Sequence, residues 1–380
     1  MTKINYAEEF EKMRPYRDHE VNDAIRRLIG YPEFNVVLSW LFPDVPVEKS
    51  KQELLQIDGV EEFQVKFMHK VVNTIIKKTS SGLTVSGMEN LTPGTAYLFV
   101  SNHRDIVLDA AILQVILLDY GHKTSQITFG NNLMSSPMIV DFGKLNRMFT
   151  FYRGGSKVEM YHHALLHSAY IRDSIVNKQE SLWIAQRNGR TKDGNDVTQS
   201  ALLKMFIGCQ SDPLQSLSEL NIVPMAVSYE YEPCDIQKVN EIYISGIRDY
   251  VKSKNEDFYS VLSGITSFKG KIHFSFGTPL NAFIESLRQE KLNQNAFTEK
   301  VAAEIDRQVY QMFRLQPVNF IAADMLEGTS DFSQHYSSLE YDHFSEYIQK
   351  KISHVNGEKQ ALTKLMLSLY AKPVENFYKK

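Results

Sequence analysis

The spacing of apolar residues changes twice along the chain and divides it into three regions. Over residues 1–80 apolar residues recur three or four positions apart, most regularly in 52–78, which predicts amphipathic helices. Over residues 81–285 short apolar runs alternate with helical spacing, and over 286–380 the helical spacing returns. Strands that alternate with helices are typical of a largely parallel sheet flanked by helices. The sequence therefore predicts an α/β domain between N-terminal and C-terminal helical regions.

The apolar runs of the central region predict individual strands. These runs cover residues 83–86, 97–101, 125–129, 149–152, 181–185, 222–229, 242–246 and 271–276. The spacing between them predicts helices over 106–119, 133–142, 158–177 and 198–208. Pro224 lies inside one of the runs. Because proline cannot donate a ladder hydrogen bond, it predicts an edge strand or the start of a strand.

The stretch 97–118, YLFVSNHRDIVLDAAILQVILL, predicts a buried strand, a polar turn that carries His103, and a helix. In α/β proteins such a strand-to-helix turn is a common place for chemistry. Histidine is the side chain best suited to take a proton from a hydroxyl group near neutral pH, and a carboxylate can fix its tautomer. We therefore predict that His103 is catalytic.

Two aspartates compete to be the partner of this histidine. Asp109 lies inside an apolar helical pattern, where a buried carboxylate costs free energy unless it is paired. Asp105 lies about one helical turn earlier and has a second interpretation, as the cap of the helix N-terminus. Both are candidate catalytic residues, and Asp109 is the preferred one.

Two further turns concentrate positive charge. FTFYRGGSK (149–157) places Arg153 in a Gly-Gly turn, and WIAQRNGRTKDG (183–194) carries Arg187, Arg190 and Lys192. Clustered cations at the ends of strands are suited to bind phosphate or carboxylate. The alternative interpretation of each turn is a solvated surface loop.

Net charge and cysteine content exclude several classes of protein. The formal net charge is −3, so no global positive field favours nucleic acid as a partner. Cys209 and Cys234 are the two cysteines of the chain and have the spacing of neither a disulfide framework nor a metal site. They fit a reducing compartment.

The distribution of apolar residues also bears on membranes. Residues 1–20 lack the apolar core of a secretory signal. The longest apolar run, 106–118, is shorter than the roughly 20 residues that a membrane-spanning helix needs. We therefore expect a soluble or peripheral protein. FNVVLSWLF (34–42) could lie in a lipid interface, although packing against the next domain is the simpler interpretation.

Six segments, taken in order, resemble the motifs of the glycerolipid acyltransferase family, which includes bacterial 1-acylglycerol-3-phosphate acyltransferases. They are GLTVSGMEN (82–90), SNHRDIVLDAAIL (101–113), FTFYRG (149–154), AQRNGRTKDG (185–194), NIVPMAV (221–227) and FSFGTPL (274–280). The chain departs from the family pattern twice. Five residues instead of four separate His103 from Asp109, and Asn188 replaces the glutamate of the usual Glu-Gly-Thr-Arg motif.

The resemblance implies an enzyme of phospholipid biosynthesis. His103, oriented by Asp109, would act as general base on the hydroxyl of a lysophospholipid, most simply 1-acylglycerol-3-phosphate. The acyl donor would be acyl-CoA or acyl carrier protein, and no metal or bound cofactor would be needed. We expect peripheral contact with the inner face of the cytoplasmic membrane. The predicted substrate-binding residues are Arg104, Arg153, Arg187, Asn188, Gly189, Arg190 and Lys192.

Three alternatives stay open at this point. Asn188 leaves room for another acceptor, such as an amino-acid-containing or other polar lipid that is acylated on oxygen or nitrogen. A catalytically idle membrane scaffold is a second alternative, and the intact His103 and Asp109 count against it. A metal hydrolase built on His103 and Asp105 is the third, but no second cluster of ligand spacing follows in the sequence.

Overall fold

Residues 5–134, 136–253 and 256–379, which the computed structural model describes, contain seven β-strands that form one sheet. The strands are β1 (Gly82–Ser86), β2 (Leu98–Ser101), β3 (Gln126–Gly130), β4 (Met148–Phe151), β5 (Leu182–Ala185), β6 (Ile222–Tyr229) and β7 (Lys271–Phe276). Their spatial order is β1-β7-β6-β2-β5-β3-β4. Every neighbouring pair is parallel except β6 and β7. The predicted fold class is confirmed.

Helices precede, connect and follow the strands. The N-terminal ones are α1 (Tyr6–Met13), α2 (Asp18–Leu28), α3 (Pro32–Leu41), α4 (Val47–Leu54), α5 (Val60–Phe63) and α6 (His69–Thr79), with a π-helical turn at Gln64–Met68. Those between and just after the strands are α7 (Leu108–Asp119), α8 (Pro137–Leu145), α9 (Lys157–Arg172), α10 (Ser200–Ile207), α11 (Pro213–Ser218), α12 (Asp235–Ser245), α13 (Glu256–Thr266) and α14 (Asn281–Ser286). The C-terminal ones are α15 (Gln294–Met312), α16 (Pro317–Glu327), α17 (Ser338–Ser353) and α18 (Lys359–Tyr378).

Alternation along the strands creates two hydrophobic cores, one on each face of the sheet. Phe99 and Trp183 pack with the N-terminal helices and α7 on one face. Leu98 and Ile184 pack with α9, α10 and α15 on the other face. A third core joins α16, α17 and α18 to Val239 of α12. The predicted domain boundaries at residues 80 and 285 stay a prediction.

The predicted strand 242–246 is wrong, because these residues form the end of α12. A short apolar run has the same appearance in a strand and in a buried helix. Spacing over a longer window distinguishes the helix from a strand. Ile236, Val239 and Tyr243 recur every three or four residues, and all belong to the third core. The helix buries its apolar side against the C-terminal helices.

The predicted edge position of Pro224 is also wrong, since β6 lies between β2 and β7. In a β-strand, the N–H and the C=O of one residue point to the same neighbouring strand. The Pro224 carbonyl accepts a hydrogen bond from the Gly277 N–H at 2.8 Å. Gly277 lies just beyond the last residue of β7. The missing N–H of the proline therefore faces Gly277, beyond the last residue of β7, and not the ladder that joins β6 to β2.

The segment 34–42 falls mostly within α3. Phe34, Leu38 and Leu41 are buried in the core that the N-terminal helices share with one face of the sheet, in agreement with the interpretation that this segment packs against the next domain. The opposite side of the helix exposes Val36, Val37 and Trp40. No helix in the described residues is long and apolar enough to cross a membrane.

Asp306 of α15 connects the C-terminal region to the loop after β5, and its titration gives a testable pH dependence. Its Oδ1 accepts the Thr198 N–H at 2.7 Å, and burial raises its pKa from 3.8 to about 6. Between these two pKa values the Asp306 carboxyl is protonated in the folded state and ionised in the unfolded state. The free energy of unfolding therefore falls as the pH rises through this range, up to about pH 6. We expect Asp306→Asn to remove this fall, worth about 1 kcal/mol after allowance for partial exposure.

The measurement is the melting temperature of the wild type and of Asp306→Asn between pH 4 and pH 7.5. The variant should gain roughly 1–3 °C on the wild type across this range. Asp331→Asn, at an exposed position, is the matched control. A difference between variant and wild type that stays constant with pH would contradict the assignment.

Candidate active site

The turn between β2 and α7 holds a histidine–aspartate pair. His103 Nδ1 lies 2.9 Å from Asp109 Oδ2. The same oxygen accepts the backbone N–H groups of Arg104 at 2.6 Å and Asp105 at 2.9 Å, and Oδ1 accepts the Tyr229 hydroxyl at 2.9 Å. Asp109 is fully buried at the first turn of α7. One carboxylate therefore orients the imidazole ring and also holds the backbone of the turn.

The His103 ring has one nitrogen committed and one available. Because a carboxylate only accepts hydrogen bonds, Nδ1 carries the proton and Nε2 is left with its lone pair. The side chain keeps 14% of its surface exposed, so a ligand can reach it. Trp183 contacts the ring edge-on at 5.6 Å between centroids, and its own Nε1–H donates to the Ser101 hydroxyl at 2.9 Å. The arrangement is suited to accept a proton from a hydroxyl group.

The structure corrects the candidate role of Asp105 as partner of His103. Asp105 Oδ1 accepts the N–H groups of Val107 at 2.9 Å and Leu108 at 2.8 Å, so it caps the start of α7. Its Oδ2 lies against Gly264 of α13, and a side chain at position 264 would collide with this oxygen. Burial raises the pKa of Asp105, the charge of Asp109 adds to that effect, and Arg190 opposes it.

The structure also corrects the prediction that Arg104 binds substrate. Its side chain is only 1% exposed, and the guanidinium is paired with Asp196 and, at 3.0 Å, with Glu232. The two terminal nitrogens of the guanidinium thus donate to protein acceptors, and Nε is buried without a partner in the described residues. This pairing could not be predicted from local sequence patterns, because both carboxylates lie more than 90 residues further along the chain.

A groove of about 330 Å³ lies at the carboxyl ends of β3, β4 and β5, between α9 and α10. Arg153, Arg187 and Asn188 line it together, as the prediction of a shared binding site requires. Its remaining polar lining includes two histidines, His163 and His167, and it contains no carboxylate. The rest of its wall is aromatic or apolar: Phe151, Tyr152, Met160, Ala164, Ile184, Ala185, Ala201, Leu202 and Met205.

Among the described residues, no acidic side chain pairs with either arginine of the groove. Arg153 is exposed at the rim, and its backbone N–H donates to Asn131 Oδ1 at 2.9 Å. Arg187 donates from Nη1 to the Asn195 carbonyl at 3.1 Å, and its Nε has no partner in the described part of the chain. Because a cation next to apolar surface lacks full hydration, the groove favours an anionic ligand with an apolar part.

The other predicted binding residues of the loop after β5 lie outside this groove. Gly189 forms the turn itself. Arg190 lies near Asp105 and Cys234, beside the turn between β2 and α7, and its Nη1 has no partner in the described structure. Lys192 is paired with Glu241 of α12, so its charge is already compensated within the protein.

The turn between β2 and α7, which carries His103, lies next to the groove. Ala185 lines the groove and is in register with Ser101, two residues before His103. The Thr191 N–H donates to the His103 carbonyl at 2.9 Å, which fixes the loop after β5 against the turn. The histidine therefore lies one strand away from Arg187, which follows β5, and three strands away from Arg153, which follows β4 at the far side of the groove.

Sequence reasoning missed several residues that shape the site. Tyr229 is the last residue of the buried strand β6. A hydroxyl group at the end of an apolar run is a signal by which sequence reasoning could have included it among the candidate site residues. Trp183, Glu232 and Lys238 gave no usable signal, because the residues of the turn that they contact, His103 and Arg104, lie far earlier in the chain. In the described part of the chain, no group of three or more His, Cys, Asp or Glu side chains is placed to hold a metal ion.

Two comparisons with known proteins gave matches. The family model described as Acyltransferase matches residues 82–227. The crystal structure of the 1-acyl-sn-glycerophosphate (LPA) acyltransferase PlsC from Thermotoga maritima aligns over 75% of this chain and 93% of that chain, with 13% sequence identity and a TM-score of 0.35. No curated protein matches the chain. The family-model match supports, over residues 82–227, the family predicted from the motifs.

Proposed function

We propose that this chain, whose residues 82–227 match the Acyltransferase family model, is a glycerolipid acyltransferase that transfers a fatty acyl group from an acyl thioester to the hydroxyl of a lysophospholipid-type acceptor. The observation that carries this proposal is the His103–Asp109 pair one strand away from a groove with two uncompensated arginines. A base for a hydroxyl group and a site for an anionic head group are the two elements that such a transfer requires.

In the proposed reaction, His103 Nε2 takes the proton of the acceptor hydroxyl. The hydroxyl oxygen attacks the thioester carbonyl carbon, the carbon–sulfur bond breaks, and the departing thiolate takes the proton back from His103. The buried Asp109 stabilises the transient imidazolium and keeps the ring in place. The acyl group passes directly between the two substrates, with no covalent intermediate on the enzyme.

The groove supports a phosphate-bearing lipid as acceptor. Arg153 and Arg187 provide charge for the phosphate, and the apolar wall between α9 and α10 provides a surface for the hydrocarbon part. We propose 1-acylglycerol-3-phosphate as acceptor and acyl-CoA or acyl carrier protein as donor. Asn188 lines the groove and is compatible with a second acceptor class, a lipid whose polar group forms hydrogen bonds with an amide and not with a carboxylate.

The first test combines an acceptor panel with three variants of the catalytic turn. The wild type should transfer a radiolabelled acyl group from acyl-CoA, or from acyl carrier protein, to 1-acylglycerol-3-phosphate. His103→Ala should reduce kcat by about 100-fold or more, because the base is lost. Asp109→Asn should cost at least about tenfold, whereas Asp105→Asn, which retains the capping oxygen, should change kcat less than threefold.

Melting temperatures of the three variants show whether each one is folded. Full activity of His103→Ala would refute the mechanism. A larger loss in Asp105→Asn than in Asp109→Asn would show that the wrong aspartate has been assigned. Transfer to a panel member with an amino-acid head group, and not to any lysophospholipid, would favour the second acceptor class.

Arg153 provides a test of head-group recognition. Arg153→Gln should raise KM for 1-acylglycerol-3-phosphate about tenfold, corresponding to one charge-assisted contact, with a smaller effect on kcat. With a neutral monoacylglycerol as acceptor, the variant should equal the wild type. Lys178→Gln is the matched control: it removes an exposed cation near the amino end of β5, whereas the groove lies at the carboxyl end. Equal KM values for the phosphate-bearing acceptor would contradict the assignment.

We further propose that the protein contacts a lipid surface through α3. Val36, Val37 and Trp40 form an exposed apolar face of that helix, and the Lys78 ammonium lies 5.0 Å from the Trp40 ring centre. The double variant Val36→Asp/Trp40→Asp should co-sediment at least about tenfold more weakly with phosphatidylglycerol vesicles, since two side chains lose their burial in lipid. Leu339→Asp, at an exposed position of α17, is the control; unchanged binding of the double variant would refute this surface.

A further inference from the structure

The turn that carries His103 is connected to the C-terminal helices by a network of buried charges. Two basic and two acidic side chains form it: Arg104, Lys238, Asp196 and Glu232, of which none is more than 6% exposed. Their formal charges balance. Only Arg104 and Asp196 belong to the segment that the family model matches; Glu232 and Lys238 follow it.

We infer that Lys238 is a positioning residue for His103, and that through this lysine the C-terminal helices form a working part of the acyltransfer site. The inference rests on the proposed function for its activity measurement. Lys238 Nζ donates to the carbonyl of Arg104, the residue directly after His103, at 2.8 Å, and pairs with Glu232 Oε1 at 2.5 Å. At 2% exposure the ammonium has no access to substrate, so it acts only through the turn.

The network holds the turn on both sides of the histidine. Before it, Asn102 donates to Asp196 at 3.1 Å and exchanges two hydrogen bonds with the backbone of Val227. After it, the Arg104 side chain and the Arg104 carbonyl are both bound to members of the network. His103 therefore has little freedom to move along the backbone while its ring stays on Asp109.

The C-terminal helices complete the network from outside. The Tyr370 hydroxyl of α18 accepts the Glu232 N–H at 3.0 Å and donates to Asp235 at 2.9 Å, at the start of α12. Asp235 also accepts from Tyr347 and, at 3.1 Å, from Lys351, both in α17. α12, which presents Lys238 to the turn, is thus fixed by two C-terminal helices.

A second contact joins α18 to the loop after β5. Gly194 has a φ of +77°, and a side chain at this position would collide with the Leu369 carbonyl. The Gly194 carbonyl lies 3.4 Å from the Arg104 guanidinium. The loop, the helix and the catalytic turn therefore meet within one tightly packed region.

Stability alone does not account for this arrangement. Burying four charges carries a desolvation cost that their mutual attraction offsets only in part, and well-packed apolar residues often stabilise a protein as well or better. What apolar residues cannot supply is a directed hydrogen bond to the Arg104 carbonyl. The network is better explained by the geometry it imposes on the turn than by its contribution to folding.

The experiment separates the hydrogen bond from the charge balance. Lys238→Met removes both and leaves the network with one excess negative charge. The double variant Glu232→Gln/Lys238→Met restores neutrality, and its glutamine oxygen can still accept from Arg104, but no donor reaches the Arg104 carbonyl. Arg27→Met, which breaks an ion pair to the buried Asp141 far from the turn, is the matched control.

We expect the double variant to keep a melting temperature close to that of the wild type and to lose kcat about 10- to 100-fold, the range that a small displacement of a catalytic group produces, with KM for both substrates changed less than threefold. Hydrogen exchange of backbone amides in residues 102–107 should accelerate in this variant and not in Arg27→Met. Arg27→Met should keep the wild-type kcat.

Two results would overturn the inference: wild-type kcat in the double variant, or unchanged exchange in residues 102–107. If Lys238→Met lost activity only through unfolding, the double variant would recover it, and Lys238 would be structural. Inactivity of the wild type on every acceptor would instead refute the proposed function, and the exchange measurement would still decide whether Lys238 positions the turn.

Discussion

The buried carboxylate of Asp109 is the interaction on which the rest of the site depends. It accepts hydrogen bonds from the His103 ring, from two consecutive backbone N–H groups of the turn and from the Tyr229 hydroxyl. A carboxylate without solvent needs several donors to offset its desolvation, and only a tight turn can bring two backbone donors to one oxygen. The requirement to satisfy the charge therefore determines the shape of the turn, and the shape determines where the histidine points.

The additional residue between His103 and Asp109 becomes understandable in these terms. A longer turn leaves more backbone groups to satisfy before α7 begins at Leu108. Asp105 accepts two of them, the N–H groups of Val107 and Leu108, and so closes the longer turn without disturbing the histidine. The two aspartates divide the work: one holds the ring and the front of the turn, and the other caps the helix. The capping interpretation, open from the sequence, describes Asp105 correctly.

Local patterns predicted much of the fold and the central pair of the site, whereas long-range pairing escaped them. The alternation of runs and helical spacing predicted the sheet, and the burial cost of Asp109 pointed to its partner. The run 242–246 was too short to distinguish strand from helix, and Pro224 appeared unfit for a central strand because the end of β7 cannot be located beside it from sequence. Arg104 was assigned to substrate because its carboxylates, Asp196 and Glu232, come near only in the folded chain.

Compensation within the protein determines which cations remain for a ligand. Sequence places several arginines and lysines at the ends of neighbouring strands, and by charge alone they are equivalent. The fold pairs Arg104 with two buried carboxylates and Lys192 with Glu241, while Arg153 and Arg187 line a groove that contains no carboxylate. A chain with a net charge of −3 can therefore present a locally positive surface next to its catalytic turn. Because internal ion pairs select the cations that stay free, residues outside the family motifs, such as Glu241 and Glu232, help to define what the motifs can bind.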